Sequence, residues 1–370
     1  MKYFLIAGEA SGDMHGAKLM RQILRQDPKA EFCFLGGDLM LSVGGSLVIH
    51  YRKMAFMGIV NVLKNLRTIS ENYSKCLQAI RDFQPDAVIF IDYPSFNLKV
   101  AKYVKTVLRL PTYYYIAPKL WVWKEYRIKS IKRYIDRMFV IFPFEVEYFA
   151  SLGYKVDYVG NPTAESISEF LENSQKNTSE KPTVALLAGS RRQEIAKCLP
   201  LMIKMANHFP QYRFVVSKAP GIDIDFYRRW ITGGVQVSEE DTYTLLHNSV
   251  AAIVNSGTAT LETALIGTPQ VVVYYVIGGK LVPFLHKLLL KVKYVSLVNL
   301  IAGREVVREL ITPKFTEENL YSELSRLIDS NQRKQEIAEG YESVRCRLAG
   351  SSASIAAAQL IVEDLQKRKS

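Results

Sequence analysis

Residues 3–16 read YFLIAGEASGDMHG. The apolar run Tyr3–Ala7 stops at Gly8, and a helical pattern runs from about Gly16 to Arg25. An unbroken apolar run closed by glycine reads as a strand buried on both faces. A helix directly behind it makes half of a βα unit. The rhythm repeats outward: Glu31–Leu35 ends at Gly36-Gly37, a helix spans roughly Leu66–Phe83, and Asp86–Ile91, Thr112–Ile116 and Arg137–Ile141 are again apolar and β-rich. Such runs joined by helices predict an α/β fold built on a doubly wound parallel sheet.

The rhythm breaks after Glu165, where ENSQKNTSEKP (residues 172–182) is polar. We expect a first Rossmann-like domain over residues 1–165 and a linker over 166–182. A second βα series, with strands at Thr183–Leu187, Arg213–Ser217, Val250–Asn255 and Gln270–Val276, makes a second such domain over 183–345. The last segment, 346–370, reads as a helix that packs back on the first domain or on a partner subunit. A homodimer is therefore one arrangement the sequence allows. Two doubly wound domains are expected to face a central cleft, because ligands bind at the carboxyl ends of such sheets.

The composition sets limits. The chain has 370 residues, and at roughly 100–200 residues per domain two domains are natural. Hydrophobic residues make up 48%, an ordinary globular share. Cys33, Cys76, Cys198 and Cys346 show no CxxC spacing, and the five histidines show no HExxH. No metal or cofactor is therefore expected, and a cytoplasmic location fits. No run approaches the ~20 apolar residues needed to span a bilayer. The formal charge of +12 favours polyanionic partners, but no nucleic-acid-binding signature accompanies it, so nucleic acid is not expected.

Four turns carry candidate chemistry. Gly8-Glu9-Ala10-Ser11-Gly12-Asp13 matches neither a dinucleotide fingerprint nor a P-loop. Asp13 serves there either as a helix cap or in a site beside Glu9 and Ser11. Asp92 ends an apolar strand in IDYPSFN (91–97); it is a general-base candidate or a turn-forming residue before Pro94. Gly189-Ser190-Arg191 follows a strand and suits a diphosphate, or is a helix start with an exposed arginine. In Ser256-Gly257-Thr258-Ala259-Thr260-Leu261-Glu262, Ser256, Thr258 and the Gly257 backbone suit a phosphate. Glu262, one turn on, suits ribose hydroxyls, although a capping box explains part of the pattern.

Two stretches suit an anionic membrane surface. Met54–Leu66 places Ile59, Val62, Leu63 and Leu66 at helical spacing, and Lys280–Lys293 borders leucines with lysines. Burial in the core accounts for each equally simply. Tyr113-Tyr114-Tyr115, Trp121 and Trp123 are core, acyl-chain wall or sugar platform.

Taken in order, GEASGD (8–13), MG (57–58), IDYPSFNL (91–98), PxxWxW (118–123), FPFE (142–145), GNP (160–162), GSR (189–191), SGTATLE (256–262) and NLIAGRE (299–305) resemble the lipid A disaccharide synthases, glycosyltransferase family 19. Ala188 stands where that family commonly has proline, and Asn161 where it has histidine. The resemblance implies a GT-B fold and metal-independent, inverting transfer of 2,3-diacylglucosamine from its UDP donor to 2,3-diacylglucosamine 1-phosphate. The products would be the β-1,6 disaccharide 1-phosphate and UDP, formed by a peripheral enzyme at the inner face of a bacterial inner membrane. It implies Asp92 as base, with Glu9 and Asp13 as rivals, and Arg191 at the departing diphosphate. Ser256, Gly257, Thr258, Glu262, Gly189 and Ser190 would hold the nucleotide, with Asn299 and Glu305 nearby. Ser11, Asp13 and Asn97 would shape the acceptor side, and Met57–Leu66 would meet the membrane. A UDP-sugar epimerase and a non-catalytic membrane-binding protein are the alternatives.

Overall fold

The computed structural model describes residues 1–54, 66–121, 124–176, 181–275, 293–350 and 352–369, with Leu66 described by its backbone alone. The chain forms two compact units, Met1–Pro162 joined by Gly350–Ser370, and Thr163–Ala349.

The first unit holds β1 (Lys2–Ala7), β2 (Glu31–Gly36), β3 (Ser46–His50), β4 (Ala87–Ile91), β5 (Thr112–Tyr115), β6 (Arg137–Val140) and β7 (Asp157–Tyr158). They lie in the order β3-β2-β1-β4-β5-β6-β7, all parallel. β1 and β4 are buried almost throughout, which is why both read as unbroken apolar runs. The second unit holds β8 (Thr183–Leu187), β9 (Arg213–Val216), β10 (Gln236–Val237), β11 (Ser249–Asn255), β12 (Gln270–Tyr274) and β13 (Glu309–Ile311), in the order β10-β9-β8-β11-β12-β13. In both sheets the chain works outward one way and then returns to the other side of its first strand. The switch points therefore lie between β1 and β4 and between β8 and β11, where such sheets leave a crevice at the strands' carboxyl ends.

Two boundary expectations are corrected. Residues 166–173 are not linker but belong to the helix Pro162–Asn173. Proline starts it, Ile167 is buried, and Phe170 packs edge-on against Tyr243 at 5.6 Å. Two apolar anchors in a polar stretch suffice to order it. Residues 346–348 end the helix Asn331–Leu348 of the second unit, and the terminal helix is Ala353–Lys369. That helix returns to the first unit, where Ala357, Ala358, Ile361, Val362 and Leu365 enter the core with Tyr3, Leu5, Ala17 and Met20. The hydroxyl of Tyr113 donates to Asp364 at 2.5 Å, and Lys369 pairs with Asp86 at 2.8 Å.

Candidate active site

The first switch point gathers Glu9 and Asp92. Ala7 pairs with Ile91 across β1 and β4, so the two residues leave adjacent strand ends. Asp92 and Tyr93 both adopt positive φ, 44° and 48°, conformations that non-glycine residues take only when their surroundings impose them. The surroundings are specific. The Asp92 carbonyl accepts from Asn97 Nδ2 at 2.7 Å and from the Tyr114 hydroxyl at 2.5 Å, and its amide donates to Tyr115 at 3.1 Å. Asn97, expected at the acceptor, is wholly buried and reaches the Ile91 carbonyl as well. It fixes the end of β4 and so acts through Asp92. Burial pushes the Asp92 carboxyl above its ordinary range, while the Lys119 charge and the Tyr93 amide draw it back.

Gly8 makes the crevice fit. A Cβ there would lie 2.3 Å from the Tyr93 ring, whose hydroxyl donates to the Met54 carbonyl at 2.8 Å. Gly8→Ala must therefore push Tyr93, and Asp92 beside it, out of place. We expect about 1–3 kcal/mol of destabilisation together with a lower kcat/KM. Thermal unfolding and steady-state kinetics check this, and wild-type turnover in Gly8→Ala would show that the Tyr93 contact does not order the turn.

Glu9 precedes the helix Ala10–Gln26, Ser11 is exposed in its first turn, and the Glu9 charge helps raise the Tyr93 pKa after burial itself. Asp13 does not join them. It is 3% exposed, and its Oδ1 accepts from Gly37 at 2.7 Å and Met40 at 3.1 Å, its Oδ2 from Leu39 at 3.1 Å. It caps not its own helix but the next one, Asp38–Val43.

The second switch point gathers Gly189-Ser190-Arg191 after β8 and Ser256-Gly257-Thr258 after β11. Gly189 has φ +117°, and a Cβ on it would sit 2.7 Å from Asn255 Nδ2 and from Glu194 Oε2, so only glycine lets the two turns meet. Glu194 ties the first turn, accepting from the Ser190 amide at 3.1 Å and from Arg191 Nη1 at 3.0 Å. The Arg191 side chain is 66% exposed. The helix Thr258–Ile266 opens at Gly257 with no side-chain cap, which leaves a helix N-terminus turned to the crevice, a ready anion site. Ser256 Oγ donates to the Val295 carbonyl at 3.2 Å. Glu262 lies one turn in and accepts from the Tyr243 hydroxyl at 3.3 Å; burial raises its pKa and that hydrogen bond partly offsets the rise.

Asn299 is a correction. It is wholly buried: Nδ2 donates to Val307 at 2.8 Å and Glu309 at 2.9 Å, and Oδ1 accepts from Val306 at 2.7 Å and Val307 at 3.0 Å. Both amide hydrogens and both lone pairs are used, so it shapes the 303–309 segment and offers nothing to a nucleotide. Glu305 is surface-exposed and paired with Arg308 at 3.1 Å. Tyr113, Tyr114, Tyr115 and Trp121 are core, and Trp123 lies outside the described residues. So do Ile59, Val62 and Leu63 and all of Lys280–Lys293 except Lys293. Sequence reading missed Tyr243 and Glu309, which act through contacts made only in the fold; Glu194, three residues past Arg191, had a helical-spacing signal. Among the described residues no three His, Cys, Asp or Glu side chains cluster as metal ligands, and no helix is long and apolar enough to cross a membrane.

Two doubly wound units, one with Asp92 on a strained turn at its switch point and the other with an anion-receptive turn, make a GT-B fold. The fold is shared with the glycotransferase of kitacinnamycin (TM-score 0.66, 11% identity, 98% of this chain and 99% of that one). It is shared also with UDP-GlcNAc 2-epimerase from Neisseria meningitidis (TM-score 0.65, 14% identity, 99% and 100%). Residues 3–363 match the family model described as Lipid-A-disaccharide synthetase. The lipid-A-disaccharide synthase of Geobacter metallireducens is 34% identical over 100% of this chain and 98% of its own length, and that of Myxococcus xanthus 35% over 98% and 97%. The chain belongs to the lipid-A-disaccharide synthase family, glycosyltransferases of lipid A biosynthesis.

Proposed function

We propose that the enzyme transfers 2,3-diacylglucosamine from its UDP donor to the 6-hydroxyl of 2,3-diacylglucosamine 1-phosphate, with inversion, at the inner face of the inner membrane. Asp92 takes the hydroxyl proton as the oxygen attacks the anomeric carbon. The bond from that carbon to the diphosphate breaks in the same displacement, and UDP leaves with the electron pair. Arg191 and the N-terminus of the helix Thr258–Ile266 meet the charge that develops on the diphosphate. Glu262 accepts from the ribose hydroxyls, and Glu9 orients the acceptor beside Asp92. The observation that carries the reading is the Asp92 carboxylate: raised by burial, held on a strained turn, and set at a switch point. The formal charge of +12 suits two anionic substrates and an anionic bilayer.

Purified protein in detergent micelles with both lipid substrates tests this. We expect UDP and disaccharide 1-phosphate in equal amounts by mass spectrometry, unchanged by EDTA. UDP binding without disaccharide would mean another acceptor, and consumption of UDP-GlcNAc alone would favour an epimerase.

A further inference from the structure

Glu145 lies outside the residues assigned above. It is 1% exposed, at the start of the helix Phe144–Ser151, and both of its oxygens are engaged. Oε1 accepts from the Trp121 indole Nε1 at 3.1 Å and Oε2 from the Phe142 amide at 3.1 Å. It thus ties the turn that leaves β5 to the turn that leaves β6, at the carboxyl ends of the two strands that follow β4 in the sheet. The tie is packed in place: Trp121 meets Phe144 edge-on at 5.2 Å, and Phe144 stacks on Phe142 at 5.6 Å.

The β5 turn is short and strained. Ile116 has φ +64°, a conformation a β-branched residue takes only when held there. Its near end is fixed to the candidate base, since the Asp92 amide donates to the Tyr115 carbonyl and the Tyr114 hydroxyl donates to the Asp92 carbonyl. Its far end is fixed by Trp121 on Glu145. Between these ends stands Lys119, exposed, whose charge acts on both carboxyls.

We propose that Glu145 is a positioning residue for the transfer: through Trp121 it clamps the far end of the Ile116–Trp121 turn, whose near end is hydrogen-bonded to the backbone of Asp92, and so holds the turn that carries the Lys119 charge. This deepens the function proposed above and rests on its assignment of Asp92 as base. The Lys119 charge and the Tyr93 amide act on the Asp92 carboxyl, the Tyr114 hydroxyl donates to the Asp92 carbonyl, and the Glu9 charge acts on Tyr93. Arg127 acts on Tyr114 and donates to Ser95 at 2.7 Å. Glu145 faces Trp121, Lys119 and the backbone amides of residues 141 and 142. Burial pushes the Glu145 carboxyl up to about 7, with the Trp121 and Phe142 hydrogen bonds and the Lys119 charge holding it from going further. Ionised, it accepts from both donors. A proton on either oxygen would set an O–H against a donor and loosen the clamp.

The test is the acid limb of kcat/KM against pH. Lys119→Met removes the charge that lowers the Asp92 pKa, so the limb moves upward by roughly half to one pH unit, about three- to tenfold in activity on its acid side. Glu145→Gln must turn its amide NH2 towards one of the two donors, which breaks one tie; the limb moves the same way. Trp121→Phe removes the donor with Glu145 intact and serves if the glutamine variant folds poorly. Adding Lys119→Met to either variant should move the limb no further. A limb unmoved in both Glu145→Gln and Trp121→Phe would leave Glu145 a brace of the fold and overturn the proposal. A downward move would do the same, since it is what loss of a nearby negative charge gives without repositioning. Asp92→Asn separates this from failure of the base assignment: a variant retaining turnover removes Asp92 as base and the clamp's role with it.

Discussion

Asp92→Asn is expected to lower kcat by about 10²–10⁴-fold, the range a positioned general base supplies, while UDP binding stays as in the wild type. The substitution keeps the size of the side chain and removes only its ability to take a proton. The backbone contacts that hold the turn, from Asn97 and Tyr114 to the Asp92 carbonyl, do not involve the carboxylate and should survive. In the proposed function nucleotide affinity rests on the other unit, where Arg191, Ser256 and the helix Thr258–Ile266 lie, so the loss should fall on turnover. The pH dependence has a definite sign. A base works unprotonated, and burial has raised this carboxyl above its ordinary range. Activity should therefore fall on acidification at a higher pH than an exposed aspartate would give. Steady-state kinetics and calorimetric UDP titration decide it. A variant keeping a tenth or more of wild-type turnover would pass the role to Glu9.

The core strands were legible because their burial is complete. Thr183–Leu187 was read to the residue, and β1, β4 and β5 to within one, since a strand buried on both faces has no polar positions to blur its ends. The strands that went unread, β3, β7, β10 and β13, lie at the sheet edges, where one side is bare and the apolar run shrinks. The site was legible in outline for a related reason. Crevices form where the strand order reverses, and the glycine-bearing turns after β1, β8 and β11 stand there. What a given carboxylate does was not legible, because a buried carboxylate is used wherever the fold has orphan amides to satisfy. Asp13 and Asn299 carry the residue types of a binding site and are consumed by backbone groups, the first by the 37–40 turn and the second by the 306–309 segment. Glu194, which no motif singled out for a role, holds the turn that presents Arg191.

Asp13 shows how far such a residue can look catalytic and yet be structural. Asp13→Ala would leave the amides of Gly37, Leu39 and Met40 without their acceptor, the Gly37 and Met40 bonds being buried and the Leu39 bond part-buried. Hydrogen bonds to an ionised group contribute about 1.5–3 kcal/mol each, less when several share one carboxylate, so a total loss of about 3–5 kcal/mol is expected. That corresponds to a fall in Tm of roughly 10 °C for a unit of this size. No side chain at position 37 can take over, because a Cβ on Gly37 would lie 2.4 Å from the Tyr51 ring. Asp13→Asn should fall between. Its Oδ1 can still accept from Gly37 and Met40, but its amide would meet the Leu39 N–H donor to donor. Assayed well below its Tm, Asp13→Asn should then keep KM for both substrates within a few-fold of wild type. Ser11→Ala, on the exposed first turn of the same helix, should leave Tm unchanged and report any acceptor contact through KM alone. The opposite pattern, an unchanged Tm with KM raised tenfold or more in Asp13→Asn, would return Asp13 to the acceptor site and require its three backbone contacts to be dispensable.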